Sequence, residues 1–104
     1  MKKQITNDMI GTTLDLYVQI DFAGERESKY HNLKGLVIRG QFGKPELVAQ
    51  SPMHPNRVMK LGSVNDSLTF NSGENAWEAK HQGDYQKGVT TYQLAMEQGL
   101  ADII

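Results

Sequence analysis

A chain of 104 residues with no cysteine, 22% charged residues and a formal net charge of −1 fits one domain, residues 1–104, able to bury a core without disulfide or metal staples. The missing cysteines exclude thiol nucleophiles, iron–sulfur sites, cysteine-ligated zinc and disulfide frameworks. Residues 1–50 carry seven Lys/Arg against six Asp/Glu and residues 51–104 carry four against six, so neither half has the basic excess of a sequence-independent nucleic-acid binder.

Residues 1–11 form a lead-in. Thr6 or Asn7 can cap one helical turn that Gly11 stops, with Ile5 and Ile10 packing inward. The two lysines after Met1 precede no apolar run, so no signal peptide is read. No apolar stretch approaches the ~20 residues of a membrane span. The expected setting is the cytoplasm, with no membrane partner.

Residues 12–22 carry the strongest pattern in the chain. Leu14, Leu16, Val18, Ile20 and Phe22 fall on one parity, and Asp15, Tyr17, Gln19 and Asp21 on the other. Alternate side chains of a strand point to opposite faces, so this is a β-strand with one apolar and one polar face. Residues 23–32 are polar and read as a hairpin loop into which both strands extend. Residues 33–42 form the second strand, with Leu36, Ile38, Gly40 and Phe42 on one face and Val37, Arg39 and Gln41 on the other. Gly43, Lys44 and Pro45 make a turn, and residues 46–50 a short third strand.

Residues 51–56 break the pattern, because Pro52 and Pro55 cannot sit in a central strand. Residues 57–63 read as a fourth strand, 64–67 as a turn and 68–70 as a fifth strand. After Asn71 the character changes. Ala76 to Gln82 is rich in helix formers and Gly83 suits a helix stop. From Tyr85 to Ile103, small or apolar residues recur at spacings of three and four, a helical stripe that Asp84 can cap; Val89 to Tyr92 also has β propensity.

Gly83-Asp84-Tyr85, followed by Gly88, Tyr92 and Ala95, makes residues 76–98 resemble a single tetratricopeptide-type helix pair. The resemblance implies a helical hairpin with Tyr85, Tyr92 and Ala95 inside. It implies no peptide-binding function, since a solenoid needs about three repeats to bury its core.

Strands followed by helices predict an α+β fold: an antiparallel sheet of about five strands over residues 12–71, then a C-terminal helical hairpin or long helix packed on Leu14, Leu16, Val18, Ile20 and Phe22. The rival architecture is a small β-barrel capped by a helix.

The chemistry-bearing residues are sparse. His31, His54 and His81 have no metal-ligand spacing, so no metal and no cofactor is expected. On a helix, Trp77 and His81 would be neighbours. The most coherent polar set is Asp15, Tyr17, Gln19 and Asp21, with Arg39 of the second strand as a candidate partner. Asp15 and Asp21 stand ~20 Å apart on a strand, too far for a paired acid–base role. Met53 and His54, held between prolines, form a stiff contact point. Asp15, Tyr17, Gln19, Asp21, Arg39, Met53 and His54 are therefore the candidate binding residues, and no catalytic residue is assigned.

The leading expectation is a non-catalytic binding or assembly module that contacts a protein partner or a second copy of itself. Two alternatives remain open. One is a single-stranded nucleic-acid binder using Lys29, Tyr30, His31 and Lys34. The other is a small enzyme bringing His54 or His81 to a strand carboxylate.

Overall fold

The computed structural model describes residues 1–21, 29–100 and 102. Its strands are β1 (Lys2–Gln4), β2 (Thr13–Ile20), β3 (Lys29–Arg39), β4 (Pro45–Gln50), β5 (Arg57–Gly62), β6 (Ser67–Asn71), β7 (Ala76–Lys80) and β8 (Gly83–Lys87), followed by helix α1 (Thr91–Glu97). The strands form one mixed sheet in the order β1-β6-β7-β2-β3-β4-β5-β8. All described neighbours pair antiparallel except β2 and β7, which run parallel.

Short connections dictate the shape of this sheet. Two residues, His81 and Gln82, join β7 to β8, yet those strands are five places apart in the order. Across a flat sheet five spacings cover ~24 Å, whereas the connection reaches about 10 Å. The link from β5 to β6 also jumps five places, with four residues. Both are possible only if the sheet curls until its two halves meet. The ends of the curl are tied where the Gln82 N–H donates to the Lys60 carbonyl at 2.9 Å and the His81 N–H to the Gln19 carbonyl at 3.2 Å. Among the described residues no pairing joins β1 to β8, so the sheet is not closed into a barrel.

Curling encloses the inner face. Leu16, Val18 and Ile20 of β2 pack there with Val37, Leu47, Ala49, Met59, Leu61, Leu68 and Ile5, and Leu14 is half-buried against them. The expected apolar parity of β2 is thus the core parity, while Phe22 lies outside the described residues. The outer face buries a second cluster of Leu36, Ile38, Val48, Val58, Leu94 and Ala95. This corrects the expected cover. Helix α1 packs on the outer face of β3, β4 and β5, and the apolar side of β2 is covered by the curl of its own sheet.

The lead-in holds the expected turn, a 3-10 helix at Asn7–Met9, but also strand β1 before it. β3 ends at Arg39, not at Phe42. Phe42 lies in a 3-10 turn at φ 58° with 92% of its surface exposed, so it shares no face with Leu36 and Ile38.

The larger correction concerns residues 76–87, which form β7 and β8 and not a helix pair, so the tetratricopeptide-like spacing reflects no helical hairpin here. Local helix propensity over Ala76–Lys80 is worth a few tenths of a kcal/mol per residue, less than pairing on both sides with β2 and β6 supplies. Asp84 caps nothing. The helix starts at Thr90, whose Oγ1 accepts the Gln93 N–H at 3.1 Å while Gln93 Oε1 accepts the Thr90 N–H at 2.6 Å, a reciprocal capping box. It ends at Gly99 (φ 72°), short of the stripe expected to run to Ile103. There the Leu100 N–H reaches the Ala95 carbonyl at 2.7 Å and the Gly99 N–H reaches the Met96 carbonyl at 3.1 Å, a Schellman closure.

At Gly35 the sheet backbone lies close against the core side chains. A Cβ there would overlap Leu16 Cδ1 and stand 3.1 Å from Leu47 Cδ1. Gly35→Ala is expected to destabilise the protein by about 1–3 kcal/mol through overpacking, read as a lower urea midpoint with unchanged m-value.

Candidate functional site

Strand alternation puts Asp15, Tyr17 and Gln19 on the outer face. The register then builds rows across it. Asp15 stands opposite Lys34, Tyr17 opposite Asn32 and Gln19 opposite Tyr30 on β3. On the other side Tyr17 stands beside Glu78 and Gln19 beside Lys80 of β7. Glu78 in turn faces Thr69 of β6, which faces Lys2 of β1. This half of the outer face lies beyond α1, whose buried contacts are with Leu36, Ile38, Val48 and Val58.

At the middle of the uncovered half, Tyr17 and Tyr30 stack with ring centroids 4.8 Å apart and planes 14° from parallel. They are diagonal neighbours on adjacent strands, a separation that aromatic side chains span. Asp15 and Lys34 pair at 2.9 Å, with both side chains more than half exposed. Such a surface pair contributes ~0–1 kcal/mol; its consequence is that the two charges cancel.

The candidate residues separate. Asp15, Tyr17 and Gln19 are brought together, and Asp21 is exposed just beyond the end of β2. Arg39 does not join them, a correction to the expected partnership. The β2 ladder begins with Thr13 opposite Leu36, so Arg39 lies past its end, paired with Pro45. Its backbone N–H and carbonyl are held by the Gln98 side-chain amide at 2.7 and 2.8 Å. Asp15 takes Lys34 instead.

Met53 and His54 are exposed in the loop between β4 and β5, as the prolines suggest, but belong to a different region. Gln50 braces that loop. Its amide nitrogen donates to the Pro55 carbonyl and, at 2.8 Å, to the Arg57 carbonyl, while its oxygen accepts the Thr91 N–H at 2.9 Å. The proline loop and the start of α1 are therefore fixed to each other.

Among the described residues, His54 and His81 do not meet the β2 carboxylate. His81 Nε2 stands 3.9 Å from Asp84 Oδ1, and Asp84 also pairs with Arg57 at 3.7 Å. His54 is exposed and donates its backbone N–H to Ser51 Oγ at 3.2 Å. Trp77, expected to stack on His81, instead packs edge-on against Phe70 at 5.0 Å and beneath Lys3. Among the described residues no three His, Asp or Glu converge as a metal site, and no helix is long and apolar enough to cross a membrane.

A second polar site lies at the covered edge of the outer face, where Glu46, Lys60, Asp84 and Tyr85 line a cavity of about 380 Å³. Glu46 is buried and paired with Lys60 at 3.6 Å. Its carboxyl group occupies the space that a Cβ at Gly40 would need. These residues carry no local motif, and only the β4–β5–β8 pairing brings them together. Likewise Thr69, Glu78 and Lys80 could join Tyr17 only after 76–80 was known to be a strand.

No family model, curated protein or solved structure matches the chain.

Burial raises the Tyr85 phenol above its ordinary value near 10, and the carboxylates of Glu46 and Glu97 push it the same way. The folded state therefore favours neutral Tyr85. That contribution is intact below about pH 10 and is lost as pH rises through the elevated folded value. Tyr85→Phe is expected to lose less Tm than the parent chain when pH is taken from 9 to 11, on the order of the titration window of one phenol.

Proposed function

We propose that the chain is a non-catalytic binding module that docks a protein partner, or a second copy of itself, on the uncovered half of its outer sheet face. The observation that carries this reading is the Tyr17–Tyr30 stack at the centre of that half. Tyrosines give large, rigid, amphipathic contact area at low entropic cost, and buried aromatic anchors dominate binding energy at protein interfaces. The surroundings suit the same role. Asn32, Gln19 and Thr69 are uncharged, Asp15 neutralises Lys34, and Glu78 and Lys80 have opposite signs. A polar rim of low net charge around aromatic anchors is ordinary interface composition.

The nucleic-acid alternative draws less support. Lys29 and His31 stand opposite Ile20 and Val18, on the other parity from Tyr30 and Lys34, so the cluster does not share one face. The enzyme alternative has His81 beside Asp84 but no convergence with Asp15 or Asp21.

Tyr17→Ala and Tyr30→Ala test the reading, with light scattering for self-association and pull-down for other partners. The expected result is a protein species retained by the parent chain and weakened about 30-fold or more in both variants, with unchanged far-UV circular dichroism. A strictly monomeric parent that retains no protein, or a complex unaffected by either substitution, contradicts it.

A further inference from the structure

At the edge of this docking surface, and sharing Gln19, Tyr30, Thr69, Glu78 and Lys80 with it, the sheet contains a notch. β6 runs from Ser67 and β7 runs to Lys80, but the two pair only where Thr69–Asn71 meets Ala76–Glu78. Past Thr69 they part. β6 stays with β1, through Leu68 and Ser67 opposite Lys3 and Gln4. β7 stays with β2, and its chain then turns to β5 at Gln82. The opening is a cavity of about 400 Å³, within the range of small-molecule sites. Asp66 and Gln82 also line it, hydrogen-bonded to each other at 3.2 Å.

We propose that this notch between β6 and β7 binds a neutral pyranose sugar, with Tyr30 as its stacking platform. The lining is unusual in its mixture. Ser67 and Thr69 offer hydroxyls, Gln19 an amide, Lys80 an ammonium and Glu78 a carboxylate, all around one cavity. Among the described residues the side chains of Gln19, Ser67, Thr69 and Lys80 have no hydrogen-bond or ionic partner in the chain. Donors and acceptors gathered around one cavity match vicinal hydroxyls, each of which both donates and accepts.

Charge narrows the ligand class further. Asp66 and Glu78 oppose an anion, and Lys80 opposes a cation, so the lining suits a neutral polyol better than a phosphate or an amine. Tyr30 is 50% exposed and borders the cavity. One face of its ring is held by Tyr17, so the phenol is already positioned to meet the C–H face of a sugar ring at little entropic cost.

The test is an amide chemical-shift titration of the full chain with methyl β-glucoside, methyl α-mannoside and methyl β-N-acetylglucosaminide into the millimolar range, with inorganic phosphate as a fourth probe. The expected result is saturable shifts at Gln19, Thr69 and Lys80 with at least one glycoside, larger than with phosphate. Thr69→Val keeps β propensity and is expected to weaken that binding about tenfold, the effect of one lost hydrogen bond. Lys80→Met is expected to weaken it in the same direction. No saturable shift at the notch with any of the three glycosides, shifts with phosphate alone, or shifts indifferent to both substitutions would overturn the proposal. Protein association is read on the parent chain by light scattering and pull-down without added sugar, and the sugar titration is run where scattering finds the chain monomeric, so failure of either measurement leaves the other proposal standing.

Discussion

The two-residue link between β7 and β8 constrains the rest of the structure. It joins strands five places apart in the sheet, and no flat arrangement lets His81 and Gln82 span that distance. Curling is therefore imposed by connectivity, and it solves one packing problem at once. The inner faces of β2 to β6 meet one another, so Leu16, Val18, Val37, Leu47, Leu61 and Leu68 are buried without help from α1. Among the described residues the outer face is covered by α1 with Tyr85, Val89 and Leu100 beside it. Seven residues make a helix about 10 Å long, which suffices for Leu36, Ile38, Val48 and Val58 but leaves β2, β7 and β6 uncovered.

The division of the outer face is written into its side chains. β3 shows both regimes within one strand: Tyr30, Asn32 and Lys34 precede Leu36 and Ile38 on the same parity, and the change from polar to apolar falls where the helix begins its cover. The uncovered rows are polar, with the Tyr17–Tyr30 stack among them. The notch has the same origin. β7 must leave β6 in order to reach β5, and the gap is what that departure leaves. Both proposed sites thus follow from the constraint that curls the sheet.

The sequence is informative where alternation is local. The parity of residues 14–20 and the strands expected at 46–50, 57–63 and 68–70, which form within one residue of those bounds, follow from period two and the turn chemistry between them. Tyr17 and Gln19 could be placed on an exposed face for the same reason. Residues 76–87 were illegible because Ala, Glu, Lys and Gln favour a helix locally, while the partners that override them on β5 and β2 lie about 23 to 61 residues away. A parallel neighbour such as β7 leaves no hairpin signal. The error over which surface α1 covers had a readable warning. Leu36, Val37 and Ile38 are apolar on both parities, as are Leu47, Val48 and Ala49, and strands buried on both faces need two covers. The Tyr17–Tyr30 stack required the hairpin register, which a polar loop of uncertain length does not fix.

The central claim is that the outer sheet face is covered over one half and open over the other. Relaxation of side-chain protons by a soluble, uncharged paramagnetic probe tests it most directly, at a dilution where light scattering finds the chain monomeric. The account predicts strong relaxation of the Tyr17 and Tyr30 ring protons together with protected methyl groups on Leu36, Val48 and Leu94. Protected tyrosine rings, or methyls of Leu36 and Val48 as accessible as those rings, would contradict it.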